Sequence, residues 1–394
     1  MARSAYHQPG DWVDLGLRRR WSVRLLAGAN RLVPLPYSRG SVSASLGARL
    51  GLRSLTVAAR LVFGLGAVGG LGMRVLFLAA GAGGMYCGSC LRDNRLAACL
   101  LEQGRDVHLW PMYTPLKTDE PVVGETRVRF GGISVYLQQL SGVFRRAPGW
   151  VDRVLDAPRM VSWAASLSAS TQPAKLGPLT VSILQGEEGR QRKELDKLIA
   201  ELRGLRPDVV NLPNLMFLGQ ARRIKEALGC VVVCTLSGED FFVEALPEPF
   251  RGQALALIAE RAADVDAFIS VTDYFAGRCV ERFALPAARM HVGPMGIHAE
   301  RFARTDSLPA EPFTLGYFAR VVPEKGLDRL AEIFVALRRA GRTCRLRIGG
   351  YVSKADQTYL AGVLRTIADA GFADDVDCVG EVDHAGKIAL LQSL

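Results

Sequence analysis

The chain has 394 residues, of which 49% are hydrophobic and 22% charged, as is typical of a globular protein with buried cores. This length is enough for two domains. The formal net charge is +10, but residues 1–72 hold ten Arg, no Lys and only two Asp, and so contribute +8 of it. The rest of the chain is nearly neutral, which argues against a nucleic-acid-binding protein.

Residues 1–72 are predicted to be an Arg-rich extension without a sustained helical or strand period. Their Arg and Ser content is similar to that of an organelle presequence, which would be disordered. The alternative is a misassigned start, which we favour because Met73 directly precedes the first clear strand. The apolar run 55–71 is broken by Arg60 and several Gly, so it predicts no transmembrane helix and leaves peripheral membrane association open.

From Met73 onward, strand patterns and helical patterns alternate, which predicts parallel sheets with ligands at the carboxyl ends of the strands. Residues 111–180 are rich in Pro, Gly and Ser and predict no definite fold. Strands are predicted at 75–80, 106–110, 207–212, 230–236, 267–271, 313–318, 344–348 and 376–380. Helices are predicted at about 91–103, 188–202, 219–228, 249–262, 272–283, 327–337 and 354–370.

All eight Cys follow residue 72, and four of them lie in strand-like apolar runs, which is typical of a reducing compartment where Cys acts as a small core residue. These four are Cys230, Cys234, Cys344 and Cys378.

Cys87-Gly-Ser-Cys90 is a C-x-x-C sequence placed between a strand and a helix, where a thioredoxin-like redox pair or a metal site is one interpretation. The surrounding β-α-β order is larger than a thioredoxin domain. We therefore favour small residues that line the loop.

The segment 316–326 carries two cations between an apolar strand and a helical pattern. Arg320 and Lys325 lie near the predicted helix N-terminus, where backbone N–H groups already favour an anion. Arg offers a planar fork and Lys a point charge, a pair suited to a phosphate or diphosphate. The alternative is a solvated loop with two surface cations.

The spacing of Gly316, Arg320, Lys325 and Gly326 resembles G-x-x-x-R-x-x-x-x-K-G of GT-B fold glycosyltransferases, specifically the retaining family 4, or glycosyltransferase group 1 type. The resemblance implies an α/β fold with two Rossmann-like doubly wound domains. It also implies that this pattern holds the diphosphate of a nucleotide-sugar, so that Arg320 and Lys325 are the catalytic candidates and Gly316 contacts the donor.

Two neighbouring segments extend the resemblance. Residues 292–302 look like the family's strand-to-linker signature, although Met295 and His298 stand where Asn and Asp are usual. Val379, Gly380 and Val382 look like part of the loop that packs on the nucleotide base. These three residues are therefore expected to bind the donor.

The Gly-rich loop 81–88 departs from G-x-G-x-x-G because Tyr86 occupies the third Gly position, so a dinucleotide site is not expected. The family resemblance implies that Gly83 and Gly84 contact the nucleotide-sugar or the acceptor through backbone N–H groups. The alternative is a tight turn without a ligand. Residues 131–136 start a predicted helix that would line the acceptor side of the cleft.

Ser237, Glu239 and Asp240 follow a predicted strand and so are expected at the cleft. The resemblance is to a segment with His where this chain has Ser237, and we expect the three residues to contact sugar or acceptor. The alternative is a helix N-terminus whose acids are favoured by the dipole. No D-x-D stands in a suitable loop, so neither a metal nor a tightly bound cofactor is expected.

We therefore expect a glycosyltransferase that moves a sugar from a UDP- or GDP-sugar to a hydroxyl of a glycan or lipid-linked acceptor with retention. The expected location is the cytoplasm or the inner face of the membrane, and no nucleic-acid partner is expected. The sequence does not indicate an oligomeric state.

The expected domains are the extension 1–72, an acceptor-side domain at 73–309 and a partial nucleotide-sugar-binding domain at 310–394. The family's second-half signature, two Glu separated by seven residues, is expected to lie beyond Leu394, so we expect the second domain to be truncated. The alternatives are an inactive fragment with residual nucleotide binding and a GT-B-like sugar-nucleotide epimerase.

Overall fold

The computed structural model describes residues 72–81, 86–147, 173–297, 302 and 312–394. The strands within these ranges form two sheets, and neighbouring strands in both sheets run parallel, as predicted. The first sheet consists of β1 (Arg74–Ala79), β2 (Asp106–Pro111), β3 (Val209–Leu212), β4 (Val231–Leu236), β5 (Ala267–Ser270) and β6 (Met290–Val292). The second sheet consists of β7 (Phe313–Phe318), β8 (Cys344–Gly349) and β9 (Val376–Gly380).

Helices connect the strands and supply the apolar surfaces that cover the sheets. With the first sheet are α1 (Gly88–Glu102), α2 (Gly132–Leu140), α3 (Gly142–Arg146), α4 (Pro173–Leu184), α5 (Arg192–Leu205), α6 (Ala221–Leu228), α7 (Asp240–Glu244), α8 (Phe250–Arg261) and α9 (Asp273–Phe283). With the second sheet are α10 (Leu327–Arg339), α11 (Gln357–Asp369) and α12 (His384–Gln392). None of these described helices has both the length and the apolar composition needed to cross a bilayer.

The first sheet has the strand order β2-β1-β3-β4-β5-β6. Alternate side chains of β1 enter different cores, with Leu76 and Leu78 on one face and Val75 and Phe77 on the other. Because both faces are covered, the strand is apolar from Val75 to Ala79 rather than alternating with polar residues. The direction of strand addition reverses between β1 and β3, and this reversal creates a crevice at their carboxyl ends.

The second sheet has the order β7-β8-β9 and its own core. Phe334 of α10, Leu346 of β8 and Ile367 of α11 are almost completely buried together. Two separate hydrophobic cores therefore position two separate sets of strand ends.

The predicted strands and helices agree in type with the observed ones, but the helices α3, α4 and α7 were not predicted. Helix α4 lies in the segment for which no definite fold was predicted, and it contains Pro178 at an interior position that normally breaks a helix. Its Gly177 lies directly against the Phe250 ring of α8, so close that a Cβ would overlap that ring. Tertiary packing thus outweighs the local sequence preference.

The expectation that the strand cysteines are buried holds for Cys230, Cys234 and Cys344 and is wrong for Cys378. Cys378 is exposed because β9 is the edge strand of the described second sheet. The predicted extension up to residue 71 and the predicted contacts of Gly83 and Gly84 lie outside the described residues, as does His298.

Candidate active site

A polar segment follows the carboxyl end of β4. Ser237 is exposed there, whereas Glu239 and Asp240 are buried, with 5% and 3% of their surface exposed. The Ser237 N–H donates a hydrogen bond of 2.8 Å to Glu239 Oε2. Burial raises the pKa of Glu239 to about 7, so its carboxyl group exchanges a proton near neutral pH.

Arg92 of α1 orients the Ser237 hydroxyl. Its Nη1 donates to Ser237 Oγ at 2.6 Å, and its guanidinium also contacts Asp93 Oδ1 at 2.8 and 2.9 Å. Helix α1 follows β1, and β3 separates β1 from β4 in the sheet. The Arg92–Ser237 hydrogen bond therefore spans the crevice at the strand ends.

Asp240 is buried and ion-paired, which the sequence did not indicate. Its Oδ2 accepts a hydrogen bond of 2.7 Å from Arg278 Nε of α9, and Arg278 also contacts Glu244. The other oxygen, Oδ1, is buried and has no hydrogen-bond partner in the described part of the chain. Asp240 therefore connects α7 to α9, and Ser237 presents the exposed hydroxyl.

In the second sheet, two cations flank the start of α10. Arg320 follows β7 with one residue between, and Lys325 ends the 3-10 turn Pro323–Lys325. Both residues are exposed, and no hydrogen bond or ion pair joins either side chain to the described residues. Gly326 has φ +69, a value that favours glycine and lets the turn lead directly into α10.

Glycines stand at the carboxyl ends of β8 and β9, where the backbones of neighbouring strands approach closely. The Gly350 N–H donates a hydrogen bond of 2.7 Å to the carbonyl oxygen of Gly380. Gly350 has φ +138, and a Cβ there would overlap the carbonyl oxygen of Ala319. The ends of the three strands thus lie side by side, with the Arg320–Lys325 loop beside them.

Gly350→Ala is expected to lower the free energy of unfolding by about 2 kcal/mol or more, because the backbone angle is strained for Ala and the methyl group meets Ala319. Urea denaturation measures the difference. Gly362→Ala in α11 is the matched control, since its Cβ would meet open space and Ala favours a helix. Equal stability of both variants would show that the contact at Gly350 is relaxed.

The other residues predicted to contact the donor lie at different positions along the strands. Val379 and Gly380 are exposed at the end of β9, and Val382 is half-buried just beyond it. Gly316 lies within β7, opposite Arg347, and the side chain of Leu394 packs against it. Gly316 is therefore set back from the strand ends, whereas the other three lie at the open edge.

Lys117, which no sequence pattern indicated, contacts residues at the carboxyl ends of strands from both sheets. Its Nζ lies 2.6 Å from Glu381 Oε1, which follows β9, and 5.8 Å from the ring centre of Tyr351, which follows β8. The same ammonium lies 4.6 Å from the ring centre of Tyr86, just before α1. The carboxyl edges of both sheets therefore face each other across one cleft. Lys117 lies in the segment without a predicted fold, and no local pattern marks it.

A second contact between the halves is centred on Asp119. Lys387 and His384 of α12 both reach its carboxylate, with His384 Nδ1 at 3.5 Å. Burial raises the pKa of Asp119, but the hydrogen bond and the charge of Lys387 outweigh this effect, and the pKa lies below its usual range. The Asp119 side chain is only 10% exposed, so this pair is better shielded from water than Lys117–Glu381.

A double-mutant cycle on Asp119→Asn and Lys387→Met is expected to give a coupling energy of about 1–2 kcal/mol in the free energy of unfolding. The matched cycle on Lys117→Met and Glu381→Gln is expected to give less than about 0.5 kcal/mol, because more than a third of each of these two side chains is exposed. The reverse order of the two coupling energies would contradict the burial argument.

Comparisons with known proteins support this architecture. Residues 130–301 match the family described as Glycosyltransferase Family 4. Sucrose-phosphate synthase from Thermosynechococcus elongatus is similar in structure, with a TM-score of 0.51 and 12% identity over 82% of this chain and 73% of that chain. No curated protein sequence matches the chain.

Two further solved structures are similar with lower scores. The Anabaena protein HepE in complex with UDP has a TM-score of 0.46 and 13% identity over 79% of this chain and 70% of that chain. The lipopolysaccharide outer core galactosyltransferase WaaB has a TM-score of 0.43 and 12% identity, covering 80% and 70% of the two chains.

The two parallel sheets and the likeness to the synthase define a fold of the GT-B class, as the sequence predicted. The match to Glycosyltransferase Family 4 over residues 130–301 agrees with the resemblance to glycosyltransferases of this type that the sequence indicated.

Proposed function

We propose that the protein transfers a glycosyl group from a nucleotide-diphosphate sugar to an acceptor hydroxyl with retention of configuration. The observation that carries this proposal is the pair Arg320 and Lys325, exposed and without a partner in the described residues at the start of α10. Unpaired cations beside a helix N-terminus favour binding of a diphosphate.

The two cations have distinct roles in the proposed reaction. The Arg320 guanidinium holds two phosphate oxygens in one plane, while the Lys325 ammonium supplies a point charge. As the bond from the sugar to the diphosphate breaks, negative charge accumulates on the leaving group. Cations that are already in place lower the free energy of that charged state more than that of the bound donor.

The other proposed donor contacts surround this pair. Val379, Gly380 and Val382 at the end of β9 contact the nucleotide base, and Gly316 supports the loop from within β7. UDP-sugars and GDP-sugars both contain a diphosphate that this site would bind, so the proposal includes donors with either nucleotide.

The opposite edge of the cleft serves the acceptor. The exposed Ser237 hydroxyl, oriented by Arg92, hydrogen-bonds a hydroxyl of the acceptor or sugar. The Glu239 carboxylate accepts a hydrogen bond from the Ser237 backbone N–H and so positions Ser237, and Asp240 orients the segment through Arg278. Gly83 and Gly84 offer backbone N–H groups from the loop before α1. The acceptor is a glycan or a lipid-linked sugar.

The separate locations of the proposed acceptor and donor contacts support domain limits at residues 73–309 for the acceptor side and 310–394 for the donor side. The first sheet ends at Val292 and the second begins at Phe313, and each has its own core. We place the protein in the cytoplasm or at the inner face of the membrane, where nucleotide-sugars are made.

The test is calorimetry of the full chain with UDP-sugars and GDP-sugars, followed by product analysis with and without acceptor. Donor binding that Lys325→Ala abolishes supports the diphosphate site, and product that requires an acceptor supports transfer. A donor sugar converted without any acceptor would instead indicate an epimerase. Binding without turnover would indicate a fragment that only binds nucleotide.

A further inference from the structure

Two cysteines at the start of α1 form a pair that glycosyl transfer does not use. Cys87 is the residue before the first turn, and Cys90 is the third residue of the helix. Cys87 is half-buried, whereas Cys90 is 1% exposed. Cys87 is therefore the more accessible residue of the pair.

Cys87 Sγ lies 2.9 Å from Ser89 Oγ, and Cys90 stands three positions after Cys87, a spacing that brings two side chains together at the start of a helix. The hydrogen bond from Cys90 is the main cause that lowers the pKa of Cys87 to about 5, against the opposing effect of burial. The bond to Cys87 and burial both raise the pKa of Cys90. The accessible sulfur is therefore a thiolate at neutral pH, and the buried sulfur is a thiol.

An independent feature adjoins the pair. Asp93 is three residues after Cys90, so the two side chains share one face of α1. Asp93 is 1% exposed; Arg92 occupies its Oδ1, while its Oδ2 is buried without a hydrogen-bond partner among the described residues. Burial raises the pKa of Asp93, partly offset by Arg92, so this carboxyl group readily accepts a proton.

We propose that Cys87 and Cys90 form a thiol–disulfide exchange site for a low-molecular-weight disulfide. The argument rests on the accessible Cys87, the buried Cys90 in contact with it, and the unpartnered oxygen of Asp93. This activity is additional to glycosyl transfer and does not depend on it.

The exchange proceeds in two balanced steps. The Cys87 thiolate attacks one sulfur of the small disulfide, forming a mixed disulfide and releasing one small thiolate, which takes a proton from water. Cys90 then gives its proton to Asp93, and its sulfur attacks Cys87 Sγ and releases the second small thiolate, which takes that proton from Asp93. The protein dithiol is oxidised to the Cys87–Cys90 disulfide, and one small disulfide is reduced to two thiols.

The other cysteines in strands have a different chemistry. Burial raises the pKa of Cys230, Cys234 and Cys344, and each of these residues is buried in the described structure. They are core residues that exchange slowly, so modification is expected to concentrate on the α1 pair.

The test is incubation of the full chain with oxidised glutathione, rapid alkylation, and peptide mapping by mass spectrometry. We expect a Cys87–Cys90 disulfide that dithiothreitol reverses. Cys90→Ser is expected to stop at a glutathione adduct on Cys87, and Cys87→Ser is expected to leave Cys90 unmodified. Asp93→Asn is expected to slow closure of the disulfide by at least about tenfold without preventing the adduct.

Cys99→Ser is the matched control, because Cys99 is a half-buried residue of the same helix, and this variant is expected to behave like the parent. Alkylation of Cys87 is expected to reach half its maximal rate well below about pH 8.5, the value of an ordinary thiol. Absence of the adduct in Cys90→Ser, or an ordinary alkylation profile for Cys87, would overturn the proposal. These readouts do not depend on glycosyl transfer.

Discussion

Lys325→Ala is expected to lower the rate of glycosyl transfer by about 10²–10³-fold, and Arg320→Ala by a similar factor. Both side chains are exposed and lack protein partners in the described structure, so their removal deprives the diphosphate of charge without breaking a contact that stabilises the fold. Initial rates with saturating acceptor measure the loss, and thermal unfolding is expected to change little.

Arg339→Ala provides the matched control for these variants. Arg339 is an exposed cation in the last turn of the same helix, about 18 Å from its N-terminus at the usual rise of an α-helix. Its removal changes the net charge by the same amount and leaves the proposed site intact. Equal rates for Lys325→Ala and Arg339→Ala would count against a diphosphate site at the start of α10.

Glu239→Gln is expected to change the dependence of stability on pH. Burial raises the pKa of Glu239 from 4.5 to about 7, so the unfolded chain loses this proton more readily than the folded chain. The stabilising contribution is fully present below pH 4.5 and is lost as pH rises through about 7. The difference corresponds to about 3 kcal/mol.

A Gln side chain keeps an oxygen that can accept the Ser237 N–H and has no charge to desolvate. The variant is therefore expected to be more stable than the parent by up to about 3 kcal/mol at pH 8 and nearly equal to it at pH 4.5, as measured by urea denaturation. Glu244→Gln is the control, since Glu244 is partly exposed in the neighbouring helix α7. An equal effect at both pH values would mean that folding does not raise the pKa of Glu239.

Local sequence patterns predicted the parts of the fold that depend on nearby residues. The strand 313–318, the cations Arg320 and Lys325 and the following helix were all visible as one continuous pattern. These patterns predict the elements correctly because each helix or strand buries one set of its own apolar residues, and the spacing of those residues along the chain differs between helices and strands. The missed helix α4 has Pro178 in its interior, and its packing partner Phe250 is more than 70 residues away.

The contacts that assemble the candidate site could not be predicted in the same way. Lys117 and Glu381 are 264 positions apart, and Arg92 and Ser237 are 145 apart. No period or motif relates such residues, because their proximity depends on how two sheets pack. The same reason explains Cys87 and Cys90, whose spacing was visible while the burial of Asp93 behind them was not.

The ion pair between Lys117 and Glu381 has a consequence for how the cleft opens. Both side chains are about one-third exposed, so water and salt screen their attraction, and the pair contributes about 1 kcal/mol at most. A diphosphate held by two cations binds more strongly than that. Occupancy by the nucleotide would then influence the separation of the halves more than this contact does, and higher ionic strength would weaken Lys117–Glu381 more than the better shielded Asp119–Lys387 pair.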